Sequence, residues 1–464
     1  NRYNMKKESN SMSRRHFLAL SGAMAGTTLI NPSSPIYAST AETLQPAKKT
    51  RIAMVGTGVR GTGMWGRSVV QSYPNYIEFV GLCDINPGRV VLAKETMGVS
   101  CPTFTDFEKM MKEAKPEVLI VTTVDNTHDQ FIIRGMELGA DIIVEKPMTT
   151  DEKKMQAIID AEKRTGKKCR VTFNYRYSPH RVKMWELLRA GEIGELTSVD
   201  FHWYLDTSHG ADYFRRWHRL VEKSGSLWVH KASHHFDLLN WWIDSDPESV
   251  YALGELNFYG KNGPFRAVNC RTCPHTSQCS FYFDIMKNEN MKRLYVDNEK
   301  YDGYLRDGCV FKNDVDIYDK MAATIRYKNG VQVAYSLTTY SPYEGYRIAF
   351  NGTKGRIDAW IEESRPTKDV NFDEIVLFKN FSKRQYIQIP HGTSGHGGGD
   401  ALLKDQIFVP NTEDPYKQAA GIRDGALACL VGIAARKSIA AGAPVMIESL
   451  TSIKPQAKKE YKRL

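Results

Sequence analysis

Short runs of apolar residues alternate with helical patterns over the first 175 residues of the chain. Such short runs are typical of strands that are buried on both faces of a parallel sheet. The runs are residues 51–55, 79–83, 118–122, 141–144 and 170–173. Because strands and helices alternate, the pattern predicts an α/β domain with a doubly wound parallel sheet, which we expect over residues 50–175.

Beyond residue 175 the pattern changes to one helix followed by longer strands in which apolar and polar residues alternate. The helix is predicted over residues 181–190, and the strands over 196–204, 322–327, 331–339, 346–351 and 355–361. Asn329-Gly330 between two of these strands is typical of a hairpin turn. We therefore expect an α+β domain, residues 176–450, with a large and mostly antiparallel sheet that packs one face against helices.

A glycine-rich turn, residues 56–61, connects the first predicted strand to a helix. Gly56 permits the tight turn, Gly58 lets backbone N–H groups approach a pyrophosphate, and Gly61 allows the helix to pack closely on the strand. With the intervening Val59 and Arg60, this G-x-G-x-x-G segment indicates a dinucleotide site. Taken alone, the motif is equally compatible with an ordinary glycine-rich turn.

The second strand strengthens the dinucleotide interpretation because it ends in Asp84. A carboxylate at this position accepts hydrogen bonds from the adenosine ribose hydroxyls and repels a 2′-phosphate. We therefore expect NAD as the cofactor in preference to NADP. Arg60 and Arg89 count against this preference, because both lie close enough in sequence to attract a phosphate.

Polar residues also follow the later strands, at the edge where open α/β sheets bind ligands. Thr123, Asn126 and His128 follow the third strand, and Glu145-Lys146-Pro147 follows the fourth. The next strand leads into Asn174-Tyr175-Arg176-Tyr177-Ser178-Pro179. The last two segments resemble motifs of the Gfo/Idh/MocA oxidoreductases, and residues 426–445 resemble the final helix and strand of that family. The resemblance extends over about residues 50–450.

This resemblance implies an enzyme that uses a nicotinamide cofactor on a sugar or polyol, and a homodimer or homotetramer formed through the second sheet. Lys146 would donate a hydrogen bond to the reacting oxygen, with a cis peptide bond before Pro147. A surface lysine after a strand is the alternative interpretation. The residues assigned to the cofactor are Thr123, Asn126, His128, Glu145, Lys146, Asn174 and Arg176, and Tyr175 is assigned to the substrate.

A helical segment, residues 228–237, places His230, His234 and Asp237 on one face. Oxidation of an alcohol requires removal of its hydroxyl proton, for which a neutral imidazole is suited, so His234 and His230 are candidate catalytic residues. The family pattern Asp-x-Gly-x-His-x-x-Asp matches His234 and Asp237, but His230 replaces its first acid and Ala232 its glycine. Metal binding by the two histidines, or helix capping, are the alternatives.

Further candidates for substrate contact combine aromatic rings with charged donors, which suits stacking on sugar rings and hydrogen bonding to their hydroxyls. They are Arg215, Trp217, His218, His230 and Asp237. His396 is added because it lies in the glycine-rich segment 391–400, which predicts a flexible loop on the substrate side.

Four of the eight cysteines, Cys270, Cys273, Cys279 and Cys309, belong to an insertion at residues 261–310. Four thiolates that begin with a C-x2-C spacing fit a structural tetrahedral Zn²⁺. Two disulfides are the alternative in an oxidising compartment. In either case we expect the cluster to hold the insertion together and to take no part in the chemistry.

The chain carries a formal charge of +10, but its basic residues form no recognisable nucleic-acid motif, so we expect no nucleic-acid partner. Part of this positive charge lies in a basic tail at residues 451–464, which we expect to be solvated. Near the beginning, Arg14-Arg15 precede an apolar stretch, and residues 1–38 resemble a twin-arginine export signal followed by a linker over 39–49. This predicts a periplasmic protein that has no membrane anchor once the signal is removed.

The sequence thus predicts an NAD-dependent dehydrogenase that oxidises a secondary hydroxyl, at C3, of a sugar or glycoside. Because the periplasm has no free pool of NAD, we expect the cofactor to be tightly bound. Two alternatives stay open. One is an NAD-dependent glycoside hydrolase of the same fold that oxidises C3 transiently, and the other is a sugar-sensing protein without catalysis.

Overall fold

The computed structural model describes residues 48–364, 370–392 and 395–459. The predicted signal peptide and almost all of the predicted linker lie outside these residues. Within the described part of the chain, no helix is long and apolar enough to cross a bilayer.

The first domain is a parallel sheet with helices on both faces. Its strands are β1 Thr50–Val55, β2 Ile77–Cys83, β3 Thr103–Phe104, β4 Val118–Val121, β5 Asp141–Val144 and β6 Cys169–Val171. Its helices are α1 Ser68–Ser72, α2 Pro87–Met97, α3 Phe107–Ala114, α4 His128–Glu137 and α5 Glu152–Thr165. The strand order is β3-β2-β1-β4-β5-β6, as predicted for a doubly wound sheet. The order reverses between β1 and β4, so the carboxyl ends of these strands border the ligand crevice.

The glycine turn after β1 is packed against the end of β4. Gly56 has a φ of +91°, and a Cβ there would lie 2.6 Å from the Thr122 carbonyl carbon. A Cβ at Gly61 would lie 2.3 Å from the Gly56 carbonyl oxygen. Both positions therefore require glycine. The chain continues as a π-helix, Gly61–Arg67, that runs directly into α1.

The second domain is built on a nine-stranded sheet. Its strands are β7 Leu196–Asp206, β8 Pro247–Glu255, β9 Lys320–Tyr327, β10 Gln332–Ser341, β11 Glu344–Gly352, β12 Gly355–Ser364, β13 Phe372–Lys379, β14 Gln385–Pro390 and β15 Val445–Met446. The order is β14-β13-β12-β11-β7-β10-β9-β8-β15. Strands β7 and β10 pair in parallel and the other neighbours are antiparallel, which confirms a mostly antiparallel sheet.

Helices cover one face of this sheet. The helices of the second domain are α6 Pro179–Arg189, α7 Thr207–Arg215, α8 Val221–Ser224, α9 Leu227–His230, α10 Ala232–Ile243, α11 Glu289–Leu294, α12 Gly399–Phe408 and α13 Ile422–Ala441. The predicted helix over residues 228–237 is thus divided at Lys231. All residues of α10 are buried, and the helix packs against α13. On β9 buried residues alternate with exposed ones, so the opposite face of the sheet is open.

Short 3₁₀ helices occupy several connections. They are Asp125–Thr127, Asn174–Tyr177, Trp217–Arg219, Gly260–Asn262, Ile285–Lys287, Val296–Tyr301 and Ile447–Ser449. Part of the basic tail packs against the domain, while its residues Lys454 and Lys458 are exposed to solvent. Lys459 donates to Asp424 at 2.6 Å, and the Gln456 N–H donates to Asp246 at 2.9 Å. The tail is held because buried carboxylates accept its polar groups.

Candidate active site

A cleft of about 1340 Å³ lies between the carboxyl ends of the first sheet and the helices at residues 207–234. Residues of the glycine turn form one end, and Lys146, His230 and His234 line the same cleft. The sequence places Lys146 in the first domain with the glycine turn, and His230 and His234 in the second. The fold brings the glycine turn, Lys146 and the two histidines to the same cleft.

The glycine turn and the end of β2 are organised as a nucleotide site. Gly56, Gly58, Val59 and Arg60 line the cleft, whereas Gly61 packs behind it. The Asp84 carboxylate accepts hydrogen bonds from the Thr57 N–H at 2.7 Å, the Thr57 hydroxyl at 3.0 Å and the Asn86 N–H at 2.9 Å. These bonds fix the carboxylate at the edge where ribose hydroxyls are recognised in this fold.

Arg89, which the sequence left as a candidate phosphate ligand, is engaged by carboxylates on two sides. Its guanidinium lies 3.5 Å from Asp84 and forms a closer ion pair with Asp302 of the insertion. Both carboxylates neutralise the positive charge of Arg89, which the binding of a 2′-phosphate would require.

Lys146 follows β5 and precedes a cis peptide bond to Pro147. Its Nζ donates to the His230 carbonyl oxygen at 3.1 Å. Burial lowers the pKa of Lys146 to about 8, although the nearby carboxylates of Asp125 and Glu145 raise it. The Lys146 side chain is therefore mostly an ammonium at neutral pH, and it loses its proton as the pH rises above neutral.

Glu145, on the other side of Lys146, is a positioning group. Its Oε1 accepts from Arg60 Nε at 2.6 Å and from Trp65 Nε1 at 2.7 Å. Burial opposes its charge, but Arg60 and Lys146 lower the net pKa of Glu145. The carboxylate thus stays ionised and links the glycine turn to the lysine.

His230 pairs with Asp125 from the segment after β4. The distance from His230 Nδ1 to Asp125 Oδ2 is 2.5 Å, and both side chains are buried. Burial raises the pKa of Asp125 and lowers the pKa of His230. Both shifts favour the uncharged forms of the two side chains. Asp125 was not among the predicted site residues.

His234 lies beside this pair with its ring stacked on Tyr175, at 4.2 Å between ring centroids. Burial lowers the pKa of His234 well below its usual value, and Lys146 and Lys231 lower it further. The imidazole is therefore neutral at pH 7. A neutral imidazole in the cleft has a nitrogen that accepts a proton.

A second polar cluster extends the cleft beyond Tyr175. Lys231 Nζ donates to the Tyr175 hydroxyl at 3.1 Å and to Glu344 at 3.2 Å. Glu344 also lies 2.6 Å from His209 Nδ1, and the Tyr213 hydroxyl lies 2.9 Å from His209 Nε2. Burial opposes the charge of Glu344, but Lys231 and His209 lower its pKa to about 2. This cluster offers fixed donors and acceptors for several hydroxyl groups.

Comparison with known proteins agrees with this arrangement. A family model described as the NAD-binding Rossmann fold of an oxidoreductase family matches residues 50–173, and a second model, described as the C-terminal alpha/beta domain, matches residues 185–447. The chain belongs to the Gfo/Idh/MocA oxidoreductase family. This confirms the resemblance that the motifs after the fourth and fifth predicted strands carry.

Relatives of this Gfo/Idh/MocA protein include enzymes of polyols and sugars. The candidate oxidoreductase YteT of Bacillus subtilis (strain 168) is 35% identical over 421 residues, which is 86% of this chain and 98% of that protein. The inositol 2-dehydrogenase/D-chiro-inositol 3-dehydrogenase of Lactiplantibacillus plantarum is 26% identical over 44% of this chain and 55% of that one. A levoglucosan dehydrogenase solved with NADH and levoglucosan has a TM-score of 0.62 at 18% identity and covers 86% of this chain and all of that one. At 18% identity, this likeness shows that the two proteins share the fold.

Most other predicted site residues of the Gfo/Idh/MocA protein also line the cleft. They are Thr123, Asn126, His128, Glu145, Tyr175, Trp217, His218 and His396. Both ring nitrogens of His128 are used by backbone oxygens, of Pro147 at 2.8 Å and Thr123 at 3.1 Å, so this side chain joins two loops. His396 Nδ1 lies 3.0 Å from Asp400.

Four predicted residues lie elsewhere. Arg176, assigned to the cofactor, and Asp237, assigned to the substrate, instead pair with each other in the core at 2.5 Å and are completely buried. Asn174 donates to Asp400 at 2.6 Å behind the cleft. Arg215 turns toward the insertion and donates to the Phe281 carbonyl at 2.7 Å. Sequence spacing placed them on the right elements, but the direction of each side chain depends on tertiary partners.

Lys231, Glu344, His209 and Tyr213 show what the sequence assignment missed. His209 and Tyr213 belong to the mixture of aromatic and charged residues upstream of the histidines that suits sugar binding, but they are not among the assigned site residues. Lys231 lies within the predicted histidine helix, where a lysine carries no local signal of burial. Glu344 begins β11, more than a hundred residues away, so only the sheet brings it to the cleft.

The four cysteines of the insertion line one small cavity. All eight cysteines of the chain are free thiols, so the structure does not contain the alternative disulfides. Among the described residues, no group of three or more His, Cys, Asp or Glu side chains is arranged to hold a metal ion. The structure thus gives no support to the predicted zinc site. Arg215 donates to Cys270 Sγ at 3.1 Å and helps to hold this region.

Proposed function

We propose that this protein is an NAD-dependent dehydrogenase that oxidises a secondary hydroxyl, at C3, of a sugar or glycoside. One observation carries the proposal. Lys146, His234 and the His230–Asp125 pair line the same cleft as the glycine turn and Asp84. Groups that exchange protons with an alcohol are thus within one cavity with a turn suited to a dinucleotide.

The residues present suit a nicotinamide dinucleotide. A Cβ at Gly58 would approach only the Tyr295 hydroxyl, at 3.6 Å, so apart from this side chain the turn is open to the cleft at Gly58. Asp84 is oriented by three hydrogen bonds toward the ribose position. When bound, NAD supplies the acceptor for the hydride of the alcohol carbon. The ion pairs of Arg89 favour NAD over NADP, and the NADH in the levoglucosan dehydrogenase structure is in line with this choice.

The chain's own residues handle the proton. His234 is neutral at pH 7 and accepts the hydroxyl proton of the substrate. The Lys146 ammonium donates a hydrogen bond to the same oxygen and stabilises the charge that develops there. The His230–Asp125 pair fixes the carbonyl oxygen that holds Lys146 Nζ in place. Lys231 and Glu344 bind neighbouring hydroxyls and orient the sugar ring.

Export through the twin-arginine route is part of the proposal and rests on Arg14-Arg15 and the apolar stretch after them. A folded protein that leaves the cytoplasm carries its cofactor with it, so NAD is retained tightly between turnovers. We assign a homodimer or homotetramer that buries the open face of the second sheet. Structural zinc at the four cysteines is a separate prediction, which elemental analysis tests, with about one zinc per chain expected.

The experiment uses the purified protein without added NAD. It is incubated with alkyl and aryl glycosides and an external electron acceptor, and the products are identified by mass spectrometry. A keto-sugar with absorbance of bound NADH supports the proposal. Release of aglycone without net oxidation indicates the glycoside hydrolase instead, and sugar binding without turnover indicates a sensor.

Two lysine variants test the role of Lys146 in the same assay. Lys146→Met removes the ammonium from the cleft, and we expect keto-sugar formation to fall about 100-fold or more. Lys153→Met changes an exposed lysine of α5 and serves as the matched control. Equal rates for the two variants would contradict a role of Lys146 in the reaction.

A further inference from the structure

The Cys-rich insertion reaches the nucleotide end of the cleft, although it belongs to the second domain. Tyr295, Asp302 and Tyr304 of the insertion line this end together with the glycine turn. The Tyr295 hydroxyl accepts a hydrogen bond from the Val59 N–H at 3.1 Å. In a G-x-G-x-x-G turn, backbone N–H groups of this kind face the pyrophosphate. A side chain of the insertion therefore lies against the turn on which the phosphates would be bound.

A second set of contacts docks the insertion on helix α2, which follows Asp84. Asn86 Nδ2 donates to the Asn298 carbonyl oxygen at 2.9 Å, and Arg89 forms an ion pair with Asp302. The surfaces meet closely at Gly88, where a Cβ would lie 1.7 Å from Asn298 Oδ1. The insertion thus covers the strand end that carries the adenosine-binding carboxylate.

The docked segment is also braced from within the insertion. The Arg271 guanidinium binds Glu299 at 2.7 Å and Asp307 at 3.0 Å. Arg306 binds Asp212 of α7 at 2.8 Å. Tyr295 and Asp302 flank the 3₁₀ helix Val296–Tyr301, which the Arg271–Glu299 ion pair ties to the rest of the insertion. Tyr295 itself is only 8% exposed, so its hydroxyl is fixed in place.

We propose that residues 295–304 form a cofactor clamp. In this clamp the Tyr295 hydroxyl accepts a hydrogen bond from the Val59 N–H and donates a hydrogen bond to the pyrophosphate of NAD, while Asn298 and Asp302 hold the segment on α2. A phenol hydroxyl accepts and donates at the same time, and its bond to a phosphate is charge-assisted. The clamp rests on the proposed NAD site. Its effect is that the insertion slows the release of the cofactor.

Two variants test the clamp from different sides. Tyr295→Phe removes the hydroxyl and leaves the ring. Gly88→Ala puts a methyl group against the Asn298 and Tyr301 side chains, which must move to make room for it, and it alters no residue that lines the cleft. Gly63→Ala is the matched control, because a Cβ at Gly63 meets nothing within 4 Å. The measurement is the rate at which bound NADH is displaced by excess NAD, followed by NADH fluorescence in the full-length protein.

We expect both variants to release NADH about tenfold faster than the wild type and the Gly63→Ala control. Melting temperatures within a few degrees of the control show that the change lies in the site. If either variant releases NADH within twofold of the control, the clamp is refuted. If the wild type binds no NADH at all, the proposed function itself fails, and this result is distinct from a clamp failure because it needs no variant.

Discussion

Asp125 Oδ2 and His230 Nδ1 lie 2.5 Å apart, and their contact joins the end of β4 in the first domain to α9 in the second. The family pattern has an acid where this chain has His230. Here a carboxylate reaches the same place from the nucleotide-binding domain. The Asp125 carboxylate therefore pairs with the histidine that stands at the acid's position, and not with His234.

The pair is expected to act as one unit. Asp125→Asn and His230→Gln each alter one partner of this contact, and each should reduce kcat by about 100-fold. The double variant should lose no more than either single variant, because groups that act together are not additive. Steady-state kinetics of the four proteins measures this. Losses that multiply would show that the two residues act independently.

His234→Ala removes the proposed proton acceptor. We expect kcat to fall by about 10²- to 10⁴-fold while NADH still binds with its wild-type affinity, because the ring stacks on Tyr175 on the substrate side. Fluorescence titration with NADH and turnover of the glycoside give the two numbers. His202→Ala, on β7, is the matched control. Unchanged turnover with cofactor bound would exclude His234 from the mechanism.

The pH dependence of oxidation should report Lys146. The group is a cation below its pKa of about 8 and loses its proton as the pH rises through that value. Because the ammonium is the required form, kcat should be constant near pH 7 and fall above about pH 8. Lys146→Arg keeps the charge at all these pH values, so its lower activity should show no alkaline fall. An identical alkaline limb in both proteins would assign it to another group.

The fold could be predicted from the sequence because its signals are local. Runs such as residues 141–144 coincide with a strand, and Gly56 and Gly61 sit where the backbone admits no side chain. The two-residue strand β3 was missed because it has no periodicity. The strands β8, β13 and β14 were also missed. Strand β8 begins at a proline, a residue that weakens a strand pattern.

The site was predicted only in part, because burial and partners decide which side chains face the cleft. Lys146 and His234 were found through motif position. Arg176 looked equivalent to them in sequence, yet it points into the core toward Asp237. Tyr295 was hidden, since nothing near it in sequence indicates that the insertion folds back onto the glycine turn.

Cofactor choice should depend on Asp302. Asp302→Ala frees the Arg89 guanidinium from its closer carboxylate, and we expect the affinity for NADP to rise about tenfold relative to NAD. Titration of each nucleotide gives the ratio. Asp297→Ala, an exposed acid of the same insertion that faces Lys292, is the control. An unchanged ratio in Asp302→Ala would show that Arg89 is not what discriminates against the 2′-phosphate.

Arg176 and Asp237 should matter for stability and not for cofactor binding. Both side chains are completely buried, and Asp424 also accepts from Arg176, at 3.1 Å. Arg176→Met leaves Asp237 as an uncompensated buried charge, which should cost about 3–5 kcal/mol of unfolding free energy in urea. Adding Asp237→Leu removes that charge and should recover much of the loss, because an apolar pair can replace a buried ion pair. In the folded fraction of both variants NADH should bind as in the wild type. Weaker NADH binding by the stabilised double variant would return Arg176 to the cofactor site, where the sequence motif had assigned it.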